Sequence, residues 1–170
     1  GSDNRTFVYL RDSALWTPEK LAILERLHRT LVALPVVERV DDLFTQRSLR
    51  SVDGQLAAGP LLVGVPEDTE AAERARRDAL SDPLALRNLI SADGNAVALT
   101  VSLRERADAA ADHAAFYAIE QALAPVIASA TCATTPTVIA GQGLSTSQVM
   151  LHLRAEGVGP GQPPAAVRAT

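Results

Sequence analysis

Most of the chemistry this chain could perform would fall to a few side chains: His28, His113, His152, Cys132 and Lys20. A lone thiol can neither close an internal disulfide nor build a Cys-rich zinc site, and it fits an oxidising or a reducing compartment equally. Any Schiff base or phosphate-loop lysine would have to be Lys20. His28 borders a stripe of leucines, where a boundary histidine is the plain reading. His113 follows Asp112, but adjacent helical residues point about 100° apart, so spacing alone does not pair them. Gly143-Leu-Ser145-Thr-Ser147 is close to a nucleophile elbow, yet Ser147 stands where the second glycine belongs. A triad of Ser145, His152 and Asp112 can be drawn. Neither order nor spacing requires it.

Gly141-Gln-Gly143 follows the apolar Val138-Ile-Ala140 and has the strand-glycine shape of a phosphate-binding turn if a helix comes next. Thr146 occupies the third glycine position, and no acidic residue follows at the expected distance, so a glycine turn is the simpler reading. Arg74, Arg76 and Arg77 form the only basic knot, and Glu70, Glu73 and Asp78 surround it as on a solvated helix face. Asp41-Asp42 lacks the further carboxylates a hard cation needs nearby. The residues thus assign no catalytic, cofactor-binding or metal site, no cofactor and no substrate contact. The expectation is a protein that is not an enzyme.

The elements that would carry these residues alternate between strand and helix. Thr6 to Arg11 is β-branched and aromatic, a strand. Thr17-Pro18-Glu19 is a helix start with cap, first-turn proline and acid in place. Leu21, Leu24, Leu27, Leu31 and Leu34 follow at helical spacing until Pro35, and Val36 to Phe44 returns as a strand. Ser48 to Pro66, with Asp53-Gly54 and Gly59-Pro60, reads as an irregular excursion. Thr69 caps a short charged helix. Arg87 to Ser91 and Ala96 to Arg104 flank Ala92-Asp-Gly-Asn95 as a hairpin. Ala107 to Ala130 is an Ala-rich helix with a kink or break expected at Pro125. Thr137 to Ala140 is a short strand, Gln142 to Glu156 a possible helix, and Gly157 to Thr170 a flexible tail. The order β-α-β, insertion, β-β-α-β fits an α+β fold of ferredoxin-like type with a helical insertion.

Composition narrows the classes. Of 170 residues, 47% are hydrophobic, 4% aromatic and 21% charged, with a mean hydropathy of +0.08, enough for a core. A formal net charge of −4 gives no general attraction to phosphate backbones, so nucleic acid is not an expected partner. No stretch has the roughly 18 to 20 unbroken apolar residues of a membrane helix, and no signal peptide is evident. Gly1-Ser2 reads as a protease scar from an expression tag, which leaves residues 3–156 as one domain and 157–170 as its tail.

Two segments carry a resemblance. Val8-Tyr-Leu-Arg-Asp12, Leu15-Trp-Thr-Pro-Glu-Lys-Leu21 and Leu34-Pro-Val-Val-Glu-Arg-Val-Asp41 resemble the start of the first extracytoplasmic loop of MMPL-type transporters in the resistance-nodulation-division (RND) superfamily. Asp82-Pro-Leu-Ala-Leu-Arg-Asn-Leu-Ile-Ser91 with Asp93-Gly94 is similar to a hairpin of the same loop. The resemblance covers residues 5–104, and 105–140 in element order only. It implies the periplasmic porter domain of a proton-driven inner-membrane exporter of lipids and other hydrophobic molecules. The implied partners are such a substrate, the transmembrane helices and a second periplasmic loop, with homo-oligomers possible. The family's proton-relay carboxylates lie in membrane helices and map to nothing here. A porter domain needs an apolar cleft rather than catalytic groups, and Trp16, Phe7, Phe44 and Phe116 are its candidate lining, although core packing competes for each. The other readings are a free-standing ligand-binding or sensor domain of a membrane protein, and a small hydrolase using Ser145 or Ser147.

Overall fold

The computed structural model describes residues 5–105, 108–129, 135–143 and 146–154. Strand β1 (Arg5–Arg11) leads into helix α1 (Pro18–Val32) and strand β2 (Val37–Asp41). Thr17 caps α1 as its sequence demands, its hydroxyl accepting from the Lys20 N–H with Pro18 in the first turn. Leu21, Leu24, Leu27 and Leu31 are fully buried on one face of α1. The first β-α-β unit therefore stands as its periodicity expects, except that β2 ends at Asp41 and the expected strand residues Asp42 to Phe44 form a turn.

Strands β3 (Arg47–Val52) and β4 (Gln55–Pro60) pair with each other as a separate two-stranded sheet, a projecting arm. This corrects the irregular excursion expected over Ser48 to Pro66. Asp53 and Gly54 both take positive φ, 52° and 79°, which closes the tight hairpin turn whose twist matches its strands.

Helix α2 (Thr69–Ser81) begins one residue earlier than expected, with Asp68 as its cap. Helix α3 (Pro83–Asn88) takes Arg87 and Asn88 out of the first arm of the expected hairpin, while residues 89–91 keep it, the Ser91 N–H donating to the Ala96 carbonyl and the Ala98 N–H to the Leu89 carbonyl. Asp82 accepts from the N–H groups of Leu84 and Ala85 and Pro83 sits at the first position, so this stretch has every helix-start signal. The turn itself is present: Gly94 has φ +73°, and Ile90 and Val97 form a single bridge. Strand β5 (Ala96–Leu103) follows, then helix α4 (Ala109–Ser129), which passes through Pro125 without the expected break. The chain ends its described part with β6 (Thr135–Gly143) and β7 (Thr146–Arg154). The helix expected over Gln142 to Glu156 is thus a strand, in line with the alternation of Val149, Leu151 and Leu153. The tail expected at 157–170 lies outside the described residues.

The main sheet has the order β2-β5-β1-β7-β6. Pairing is antiparallel between β2 and β5, β5 and β1, and β7 and β6, but parallel between β1 and β7. One face packs on α1 and α4: Val8, Leu10, Val97, Leu99 and Val101 meet the α1 leucines and Ala115, Ile119 and Leu123 of α4 in a single core. The molecule is therefore mixed α+β, with helices against one side of a mostly antiparallel sheet.

Candidate functional site

On β1 burial alternates, so Thr6, Val8 and Leu10 point into the core while Arg5, Phe7, Tyr9 and Arg11 lie on the opposite face. Phe7 and Tyr9 are half-buried and stack at 6.0 Å with 24° between ring planes. Across the antiparallel ladder their neighbours are Thr100 and Ala98 of β5. Burial pushes the Tyr9 hydroxyl above its ordinary pKa, so it is a neutral donor at physiological pH. At the Arg5 end the face opens into a shallow groove lined by Arg5, Glu38, Ser102, Leu103, Arg104 and Glu105. An aromatic pair ending in a groove of both charges offers apolar and polar contacts side by side.

The residues quoted from β1, α1 and the Asp93-Gly94 turn meet at the other end of this strand. Arg11 donates to Asp93 at 3.1 Å, the Asp12 N–H donates to the Asn95 carbonyl at 2.9 Å, and Trp16 Nε1 donates to the Gly94 carbonyl at 2.7 Å. Asp12 Oδ1 accepts from the Ala14 N–H; its Oδ2, otherwise without a hydrogen bond, is met by Lys20 Nζ at 2.7 Å. The Asp12 side chain is wholly buried, and the chain's one lysine is its counter-charge. Ser91 and the Asn95 N–H both donate to Asp93, and the Ser91 bond is the chief reason that its carboxyl is held below the usual range. Gly94 has φ +73°, so this turn needs glycine for its backbone conformation, while a Cβ there would meet only the flexible end of Arg76 at 3.2 Å. Trp16, expected as a cleft residue, is 5% exposed and belongs to this corner instead. Phe44 and Phe116 pack against the core, which leaves Phe7 as the one cleft candidate on the open face.

A third arrangement was not legible in the sequence. His28 Nδ1 lies 2.6 Å from Asp42 Oδ2, and Asp42 is fully buried. Desolvation pushes the Asp42 carboxyl up, against the opposing pull of His28 and of the Phe44 and Thr45 bonds. The pair has the base-and-orienter half of a hydrolytic triad, but among the described residues no hydroxyl or thiol bonds to His28. Asp42 instead ties its own turn, accepting from the Phe44 N–H at 2.9 Å, and the Leu43 carbonyl then receives the Leu62 N–H at the base of the arm. The pair fastens α1 to that base.

The other candidates stay apart. Ser145 and Cys132 lie outside the described residues. Ser147 and His152 sit on β7 beside Thr6 and Arg11, about 16 Å apart at roughly 3.3 Å per residue, too far to bond to each other. Asp112 and His113 are exposed in the first turns of α4. Gly141 and Gly143 lie within β6, and with a strand after them the helix N-terminus of a phosphate turn is missing. Arg74 pairs with Glu70, and Arg76 with Glu73. Among the described residues no three His, Cys, Asp or Glu side chains gather as a metal site, and no helix is long and apolar enough to cross a membrane.

Compared with known proteins, the chain matches no family model, no curated protein and no solved structure.

Proposed function

We propose that this chain is an extracytoplasmic domain of a proton-driven exporter of RND/MMPL type, held in the periplasm of an inner-membrane protein. Its contribution is a surface for the passage of lipid or other hydrophobic substrates. The observation that carries the reading is the sheet face with its Phe7 and Tyr9 stack: an apolar stripe left on the side away from α1 and α4. The convergence of Arg11, Asp12, Trp16 and Lys20 with Asp93 and Gly94 supports it from a second side, because residues far apart in sequence and quoted for the resemblance form one corner. The run β2-β5-β1, with β5 between two parallel strands joined by α1, supports reading this part as the split β-α-β unit of a ferredoxin-like domain. The parallel β7 beside β1 is an addition to that plan.

Partners in this reading are the substrate, the membrane helices and the second periplasmic loop of the same protein. The domain holds no cofactor and makes no bond. In the full-length parent, Phe7→Ser with Tyr9→Ser should slow export of hydrophobic substrate while the protein still reaches the membrane. Replacing Ser145, His152 and Asp112 together with Ala should leave export near its starting rate. Loss of export in the triple variant with the fold intact would overturn the non-catalytic reading. Export untouched by the Phe7 and Tyr9 changes would remove the passage, and favour the alternative of a ligand-sensing domain in a membrane protein.

A further inference from the structure

The β3-β4 arm is a two-stranded sheet with two outer edges, and small isolated hairpins are marginal in water. Its register pairs Leu49 with Ala58 and Ser51 with Leu56, so Leu49, Leu56 and Ala58 share one face. Leu49 and Leu56 are 73% and 81% exposed there. Counting back from the Val52 and Gln55 pair that closes the turn, the main-chain groups of Leu56 and Ala58 point away from β3. Among the described residues they make no hydrogen bond beyond the arm.

Charge bars two of the outer edges, those of β2 and β3, from accepting a strand. The outer edge of β3 carries Arg47, and the outer edge of β2 carries Glu38, Arg39 and Asp41, the charges that keep edges from pairing. Strand β4, Gln55-Leu-Ala-Ala-Gly-Pro60, has none. An uncharged antiparallel edge is self-complementary under two-fold rotation, because no side chain meets a like charge on its own copy.

We propose that β4 is a homodimer edge, pairing antiparallel with β4 of a second copy about Ala57. In that register Leu56 of one copy and Ala58 of the other exchange both main-chain bonds, about four in all across the axis. The two arms become one sheet with the order β3-β4-β4-β3. Leu49, Leu56 and Ala58 of both copies then form a continuous apolar face. Such a contact is at the small end of protein interfaces, so the dimer fraction rises with concentration. The inference is independent of the exporter reading.

Ala57 is exposed and would face its own copy at about 4.5 Å between Cα atoms. Sedimentation velocity on the 170-residue chain should show a dimer that grows with concentration. Ala57→Glu alone and Ala57→Lys alone should each be monomeric with unchanged circular dichroism, since each sets like charges opposite each other. An equimolar mixture of the two should recover the dimer. A wild type that stays monomeric at every concentration would overturn the proposal. So would a dimer insensitive to both substitutions, which would transfer the contact to another surface such as the uncharged β6 edge.

Discussion

Lys20→Met removes the counter-charge of a carboxylate that has no access to water. Asp12 is 0% exposed at its side chain and Lys20 14%, with 2.7 Å between Oδ2 and Nζ. Removing one partner of such a pair leaves a buried charge and costs about 3 to 5 kcal/mol, against a total stability of about 5 to 15 kcal/mol for a domain. Asp12→Asn should cost less, about 1 kcal/mol, because the amide oxygen can still accept from the Ala14 N–H and the lysine head retains some access to solvent. The double variant Asp12→Asn/Lys20→Met should then be more stable than Lys20→Met alone by about 2 kcal/mol, since no charge is left in the corner. Urea unfolding followed by circular dichroism measures all three. If Lys20→Met loses less than about 1 kcal/mol, or if the double variant is no better than the single one, the corner is not a desolvated ion pair.

Leu27→Ala with Leu31→Ala opens two fully buried positions on α1, each worth about 2 to 5 kcal/mol, so little folded protein should remain at 25 °C by dichroism. Gly94→Ala should cost about 1 to 3 kcal/mol in urea unfolding from its φ of +73°; a neutral result would remove the strain argument. The Asp42 carboxyl is raised above its ordinary value of 3.8 by burial, so the folded state holds that proton where the unfolded state has lost it. That term favours folding below pH 3.8 and fades as pH rises through the folded value, so the margin of wild type over Asp42→Asn should shrink from pH 3.8 upward. A margin that widens over the same range would reverse the sign.

The elements legible in the sequence were those with a core to face. The α1 stripe and the alternation of β1 and β5 are hydrophobic patterns because α1, α4 and the sheet bury them together. The arm was not legible for the complementary reason: Leu49 and Leu56 face solvent, so no inward-outward pattern marks β3 and β4, and of the two turn signals there only Asp53-Gly54 closes the hairpin. Helix α3 was hidden by a different cause. Asp82-Pro83 carries its cap, but six residues are too few for a periodic stripe. Strand β7 was mistaken for a helix because its place between β1 and β6 is set by distant pairing. At the site, Phe7 and Tyr9 are two apart on a strand and could have been paired by period alone. His28 and Asp42 could not, since 14 residues and a whole strand separate them.

The bond from Trp16 Nε1 to the Gly94 carbonyl spans 78 positions of chain, and this indole is the only one present. Its emission is therefore an optical gauge of a single event, the separation of the N-terminal strand-and-helix corner from the turn that feeds β5. Native protein should fluoresce at the short wavelengths of a dry indole and shift red only when that junction parts. The arm contains no tryptophan, so it can open, close or meet another molecule without altering the signal. Light from Trp16 and amide exchange in residues 47–60 thus measure two separate motions of the same molecule, and any difference in their onset is the free energy that divides them.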